Sequence, residues 1–358
     1  MRRITEILSA EAASTAGTKV IDLNLTDIVS RIVVQFKGTN STGVPTAHPA
    51  KMISKIELVD GSDVLFSLTG AEAQALNFYD ENELPTTALM YVNDVMAIAT
   101  FHINLGRFLW DTKLALDPSK FSNLQLKITH NKASGGATPD EGSLSVFAFV
   151  MDKSEATPTG FLMSKEIQSY SLTSSAHEYI SLPIDYAYRR ILVASLSAAK
   201  QPWEQFNKIK LSIDNDKQVL INNMSTSDLI KILPHKRFTE YLVGTGTGSA
   251  EGTYCTPAME TFAAMAPLAS ALTASSVLTQ AYGGYLTALM DSAELFQLVI
   301  AGKCPHGALN IPFGDPMEMD SYLKVDKIGA FKFDITAGSS VGSSSTCEIV
   351  VQQVRTYK

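Results

Sequence analysis

The chain is similar to itself, and this is the tightest constraint on its fold. Residues 20–34 (VIDLNLTDIVSRIVV) align without gaps to residues 179–193 (YISLPIDYAYRRILV) at an offset of 159. Ile21/Ile180, Leu23/Leu182, Arg31/Arg190, Ile32/Ile191 and Val34/Val193 are identical pairs. One such match is weak, because strands resemble strands. A second block follows in the same order. It sets Ile56-Glu57-Leu58, Asp60-Gly61, Val64-Leu65 and Leu68-Thr69-Gly70-Ala71-Glu72 against Ile209-Lys210-Leu211, Asp214-Asn215, Val219-Leu220 and Met224-Ser225-Thr226-Ser227-Asp228. A third pairs Ile103-Asn104-Leu105 with Leu309-Asn310-Ile311, and Leu126-Lys127-Ile128-Thr129 with Phe333-Asp334-Ile335-Thr336. Three ordered blocks make an internal duplication. The offset has grown to about 207 by the third block, so some 48 extra residues lie in copy two between Ser225 and Leu309.

Each copy reads as short strands separated by turns. Arg31 to Phe36 is a β-branched and apolar run, and Asn123 to Thr129 alternates with period two. Lys51 to Val59 ends at Asp60-Gly61, a dipeptide suited to a tight hairpin, with Val64 to Leu68 returning. Thr69 and Ser225 are predicted helix N-caps, with Glu72 and Asp228 three residues on to complete a capping box, the aspartate being the shorter and poorer partner. About eight strands per copy, with one short helix after the fourth, predict an all-β chain of two tandem eight-stranded jelly rolls.

The predicted boundaries are an N-terminal arm at 1–17, a first jelly roll at 18–153, a linker at 154–164 marked by Pro158 and Gly160, and a second jelly roll at 165–358. The arm reads as a frayed terminus or, from the spacing of Ile4, Ile7 and Leu8 behind Arg2-Arg3, as a short helix. The insertion, about 238–305, holds Gly244-Thr245-Gly246-Thr247-Gly248-Ser249 and an Ala-rich stretch at 258–290. It is too apolar for a free loop, and is expected to form a partly helical tower or an intersubunit contact.

Charge narrows the partners. The net charge is -7, and the basic spots are only Arg2-Arg3, Arg189-Arg190 and His235-Lys236-Arg237. Phosphate recognition needs clustered Lys and Arg, so no sequence-specific nucleic-acid role is expected. Adjacent basic pairs of this kind read as solvated loops. Three cysteines, Cys255, Cys304 and Cys347, give no disulfide framework and fit a reducing compartment. The beginning of the chain has no apolar core of a secretory signal, and no run of 18 apolar residues occurs.

The run ending Arg31-Ile32-Val33-Val34, followed by Ile56-Glu57-Leu58-Val59-Asp60-Gly61 and Leu68-Thr69-Gly70-Ala71-Glu72-Ala73, resembles the double jelly-roll major capsid proteins of tailless icosahedral bacteriophages, of the tectivirus, corticovirus and autolykivirus type. The resemblance covers nearly the whole chain as an order of elements. It implies a non-enzymatic virion protein, assembled in the host cytoplasm, with two upright jelly rolls and no cofactor. Three chains would form a homotrimer of pseudo-hexagonal outline that tiles an icosahedral capsid against neighbouring capsomers. Further implied partners are penton, spike or minor capsid proteins, and an internal membrane reached through the N-terminal arm. The alternatives are a lectin-like or receptor-binding twin β-sandwich, which needs aromatic loop tips such as Phe78-Tyr79 or Tyr282/Tyr285, and a bicupin or jelly-roll glycosidase. A bicupin with a duplicated site would repeat its histidines, and these do not repeat.

Catalytic, cofactor-binding and metal residues are accordingly predicted as none. Gly338-Ser339-Ser340-Val341-Gly342 has the letters of a nucleophile elbow but stands in a Gly/Ser hairpin loop between strands. Gly244 to Gly248 lacks the Lys of a phosphate loop. Cys304 and His306, with Cys255 and His235, are the best conceivable metal set, and His177-Glu178 lacks a second His at helical spacing. Asp60, Asp63, Asp80, Glu81 and Glu83 read as solvated turn carboxylates rather than a calcium site, and Trp110 and Trp203 as core or interface residues. Asn40-Ser41-Thr42 matches a sequon, which has no consequence without secretion.

Overall fold

The computed structural model describes residues 1–40, 45, 47–135, 139–245, 250–267, 277–289 and 295–357. The first half contributes β1 (Arg2–Ala12), β2 (Gly17–Asp22), β3 (Ile28–Asn40), β4 (Ile53–Asp60), β5 (Asp63–Leu68), helix α1 (Gly70–Glu81), β6 (Leu89–Tyr91), β7 (Met96–Asn104), β8 (Leu124–His130) and β9 (Pro139–Met151). The second contributes β10 (Gly160–Ser171), β11 (His177–Ser181), β12 (Ala187–Ala194), α2 (Pro202–Gln205), β13 (Phe206–Ile213), β14 (Gln218–Ser225) and α3 (Thr226–Ile232). Its inserted strands are β15 (Phe238–Thr245), β16 (Ala250–Tyr254), β17 (Pro257–Pro267), β18 (Val277–Tyr282), β19 (Tyr285–Leu289) and β20 (Leu295–Pro305). The chain closes with β21 (Ala308–Pro312), β22 (Phe331–Ala337) and β23 (Thr346–Thr356).

Sheet order shows two jelly rolls. In the first, β1-β9-β3-β7 faces β2-β8-β4-β5; in the second, β10-β23-β12-β21 faces β11-β22-β13-β14. Inward side chains alternate as the pleat requires: β8 and β22 bury every second residue. The halves fuse where β5 runs parallel to β10, Phe66 opposite Ser164 and Ser67 opposite Lys165, so one eight-stranded sheet crosses the molecule. Strands β12 and β23 are buried on both faces. Ile191, Val193, Ile349 and Val351 fill barrel two, while Leu192 and Val350 join the core of barrel one. This is why Ile191-Leu192-Val193 and Ile349-Val350-Val351 are unbroken apolar runs rather than alternating ones.

Several expectations need correction. Residues 2–12 are neither a frayed terminus nor a helical arm but the first strand of barrel one, antiparallel to β9 from Arg2 opposite Met151 to Ala12 opposite Ser143. The helix-like spacing came from a β-bulge between Glu6 and Leu8, which turns Ile7 and Leu8 toward the core together. The helix consequently follows the fifth strand of each copy rather than the fourth. Residues 160–164 are strand rather than linker, with Phe161, Leu162 and Met163 buried. Within the third sequence block the pairing of 103–105 with 309–311 shifts by two, since β3 and β7 set Ile32 opposite Ile103 while β12 and β21 set Ile191 opposite Ile311. The pairing of 126–129 with 333–336 holds, Ile56 facing Ile128 as Ile209 faces Ile335. A shift of two preserves the inward face, so the alternation alone did not reveal it.

Bulges recur between the copies. Ser30 is the extra residue between β3 and β9, and Arg189 occupies the same place between β12 and β23. Ser54 and Asn207 are another such pair, and Ile7 and Ile167 a third. The caps recur too. Thr69 and Glu72 form a full capping box, while Ser225 accepts from the Asp228 N–H but receives no reciprocal bond.

Candidate assembly surface

Helix α1 lies in the seam between the barrels and carries consecutive carboxylates that serve one barrel each. Glu81 turns to barrel one: Arg31 Nη2 lies 3.1 Å from Glu81 Oε2, and His102 Nδ1 and Asn104 Nδ2 reach Oε1 at 2.8 and 2.9 Å. The ring and guanidinium hold the Glu81 carboxyl below its ordinary pKa against the opposing effect of burial. Asp80 turns to barrel two. Arg189 Nη1 donates to Asp80 Oδ1 at 2.5 Å, Arg190 Nη2 lies 3.3 Å from the same oxygen, and Gln352 Nε2 donates to Oδ2 at 3.0 Å. The expectation that Arg189-Arg190 is a solvated loop is overturned, for these side chains are 1% and 2% exposed. Burial, followed by the neighbouring Arg189 charge, lowers the Arg190 pKa to about 10. The duplicated bulge explains the pair: an extra residue in β12 aims Arg189, as well as Arg190, at the helix.

The insertion rises from this seam as two sheets, β17-β20-β15-β6 and β16-β19-β18. Among its described residues 238–305 there is no helix, contrary to the partly helical expectation. Alanine's helix propensity is a weak local preference, and long antiparallel pairing of β17 with β20 overrides it. Residues 246–249, residues 268–276 and 290 of the Ala-rich stretch, residues 291–294, and Ser41 and Thr42 of the sequon lie outside the described residues. Barrel one supplies β6, parallel to β15, so the tower is shared by both copies. Its core is Leu89, Tyr91, Leu242, Cys255, Leu286, Phe296, Leu298 and Ile300. Gly244 is required here because the Phe296 ring lies where a Cβ would sit.

The outer face of the same sheet is also apolar. Register places Tyr241 beside Val299 and Ala264, and Phe262 beside Ala301. Tyr241 and Phe262 are each 63% exposed, with Leu295 at 43% and Val299 at 37%. The flanking outward positions Thr239, Val243 and Gln297 carry no charge. A sheet with two apolar faces, one uncovered, marks an interaction surface.

The other sequence candidates scatter. Cys304 Sγ lies 3.9 Å from Met259 Sδ, Cys255 donates to the Pro257 carbonyl, His306 faces Gln74, and His235 packs edge-on to Tyr79. No group of three or more His, Cys, Asp or Glu among the described residues is poised to hold a metal. Asp60 accepts from the Ser122 and Asn123 N–H groups, and Asp63 pairs with Arg355. His177 is exposed, 3.0 Å from Asp334. Residues 338–342 join β22 to β23 across the two sheets, with Ser340 accepting from Lys200 Nζ, so this is an inter-sheet loop rather than a hairpin. Trp110 packs on Phe149, and Trp203 against the core of barrel two. Phe78 is buried, Tyr79 donates to the Ala308 carbonyl, and Tyr285 packs on Tyr254, so these aromatics are not exposed loop tips.

Sequence reasoning missed the Asp80–Arg189–Arg190 cluster and the first strand. Both left a signal. Arg31/Arg190 was an identical pair, and Glu6-Ile7-Leu8-Ser9 repeats as Glu166-Ile167-Gln168-Ser169 at an offset of 160.

No protein-family model matches the chain, and no curated protein matches it. Solved structures do. The major capsid protein of bacteriophage PM2 superposes with a TM-score of 0.56 at 13% identity, covering 100% of this chain and 98% of that one. The STIV major capsid protein gives 0.58 at 12% identity over 100% and 98%. VP54 of PBCV-1, fitted into a reconstruction of the virophage Sputnik, gives 0.57 at 10% identity over 99% and 94%. At such identities the likeness is one of fold, and the chain has the double jelly-roll fold of these viral capsid proteins.

Proposed function

We propose that the chain is a structural capsid subunit that trimerises into pseudo-hexagonal capsomers and tiles an icosahedral viral shell. The observation that carries this reading is the end-to-end likeness in fold to viral major capsid proteins, together with a tower whose outer sheet face is uncovered and apolar. Two similar barrels per chain give six in a trimer, a near-sixfold outline from threefold symmetry. The Tyr241, Phe262, Leu295 and Val299 face is assigned to the contact between subunits of the trimer, and needs about 800 Å² per partner to be stable. The chain works by assembly and not by catalysis. It resides in the virion, and assembly takes place in the host cytoplasm. Neighbouring capsomers, and penton, spike or minor capsid proteins, are its partners.

The test is the mass of the purified chain by size-exclusion chromatography with light scattering. A species of three chains, or a closed particle, is expected. Phe262→Asp with Tyr241→Asp is expected to give monomers that keep the native circular dichroism. A wild-type monomer at about 100 μM, well above the dissociation constants of stable interfaces, defeats the proposal.

A further inference from the structure

A cleft of about 490 Å³ opens between the barrels at the foot of the tower. It is walled by the start of α1 (Thr69, Ala71, Glu72, Ala75), by Lys51, Ile53 and Ser54 of barrel one, and by His306, Ser344 and Glu348 of barrel two. Glu72 is 3% exposed. Its Oε2 accepts from the Thr69 N–H at 2.7 Å, completing the helix cap, but buried Oε1 has no hydrogen-bond partner among the described residues. A buried carboxylate oxygen left unpaired is costly, and asks for a donor.

The charges around it are unbalanced. Burial raises the Glu72 pKa most, Glu166 adds to it next and Glu348 more weakly, against the lowering effect of the Thr69 hydrogen bonds. Glu166 is paired with Lys55 at 3.1 Å, and Lys51 acts on Glu348 from the mouth of the cleft. Three carboxylates thus face two ammonium groups, and the deficit falls on the buried member. The apolar part of the wall, Ile53, Ala71, Ala75, Ala194, Leu196 and Ala308, suits a hydrocarbon stem behind a single charged head.

We propose that this cleft binds a primary alkylammonium group, with Glu72 Oε1 as its acceptor. The shared chemistry has two sources: a free polyamine, or a lysine side chain presented by another polypeptide. The site is a property of the single chain and stands or falls independently of shell assembly.

The test is isothermal calorimetry on the full chain at low salt and about pH 8, above the Glu72 pKa of about 7. Spermidine and Nα-acetyl-lysine amide are the two probes. Binding below about 1 mM is expected, weakened about tenfold in Glu72→Gln, which keeps the helix cap because glutamine also serves there. The tighter probe identifies the source. Wild-type affinity is also expected to fall about tenfold per pH unit below 7, as Glu72 takes up the proton that the cation displaces. This second readout needs no variant. No binding of either probe at about 10 mM overturns the proposal. Equal affinity in the wild type and Glu72→Gln does so too, since it reports only attraction to an acidic chain.

Discussion

The two copies share their strands, bulges and caps, yet they use their helices in opposite ways. Helix α1 of copy one runs for 12 residues, is almost wholly buried, and grips an arginine on each barrel. Helix α3 of copy two runs for 7 residues and leaves Ile232 64% exposed. Copy two instead spends the same stretch of chain on a tower, into which copy one lends one strand. Duplication supplied two equivalent frames, and the connections after the fifth strand made them unequal. Arg31 shows the contrast at one residue. It meets Glu81 within its own barrel, whereas its twin Arg190 meets Asp80 from the other barrel.

The hardest way to break this asymmetry is Asp80→Ala. It leaves Arg189 and Arg190 buried without a counter-charge, and should cost about 3–5 kcal/mol in urea unfolding. Glu81→Ala should cost less than half of that, because Arg31 and His102 are 12% and 16% exposed and regain water. Equal losses would mean that the two carboxylates do not divide the barrels between them.

Acid probes the seam differently. His48 Nδ1 accepts from the Ala50 N–H, and its Nε2 lies 3.0 Å from Thr256 Oγ1. His306 Nε2 lies 2.9 Å from Gln74 Oε1 and so donates to it. Both rings are neutral and packed edge to face at 4.7 Å, with Lys51 acting on each. Burial pushes His306 down to about 3 and His48 well below its usual value. Their stability contribution is therefore complete above pH 6.5 and is lost as pH falls below it. Burial raises Glu72 and Glu240 to about 7, so their contribution runs the other way and grows as pH falls from 7 to 4.5. The opposing slopes flatten the wild-type profile. His306→Asn should remove one of them, shifting the slope between pH 6.5 and 4.5 by about 1.4 kcal/mol per pH unit toward greater stability in acid. Parallel thermal-melting profiles for variant and wild type would show that His306 takes up protons in the folded chain.

The caps sharpen the comparison at the smallest scale. Thr69→Ala should cost about 1–2 kcal/mol, since it opens a part-buried reciprocal box. Ser225→Ala should cost about 0.5 kcal/mol, because only one bond is lost and the position is more exposed. The reverse order in paired unfolding curves would mean that α1 is held by its carboxylates rather than by its cap.

Legibility in the sequence followed the range of the interaction. Ile56, Leu58, Leu126 and Ile128 announced their strands because the pleat forces every second side chain to one side, whatever lies beyond. The bulged strand β1 imitated a helix because a single extra residue breaks that period. Arg189-Arg190 read as a surface pair because its partner Asp80 is more than a hundred residues away. Glu72 was recognised as a cap, a matter of three residues. Its orphaned oxygen depends on Glu166, Glu348 and the opposite barrel, which no local pattern contains.

By itself, then, the sequence determined the two jelly-roll frames and their duplication. These rest on hydrophobic period, turn chemistry and capping, all set within a few residues along the chain. Only the tertiary structure decided that the described part of the Ala-rich insertion is sheet, that two arginines are buried, and that a sheet face and a cleft are left open. Those outcomes depend on what covers the second face of an element, and the covering element comes from a distant part of the chain.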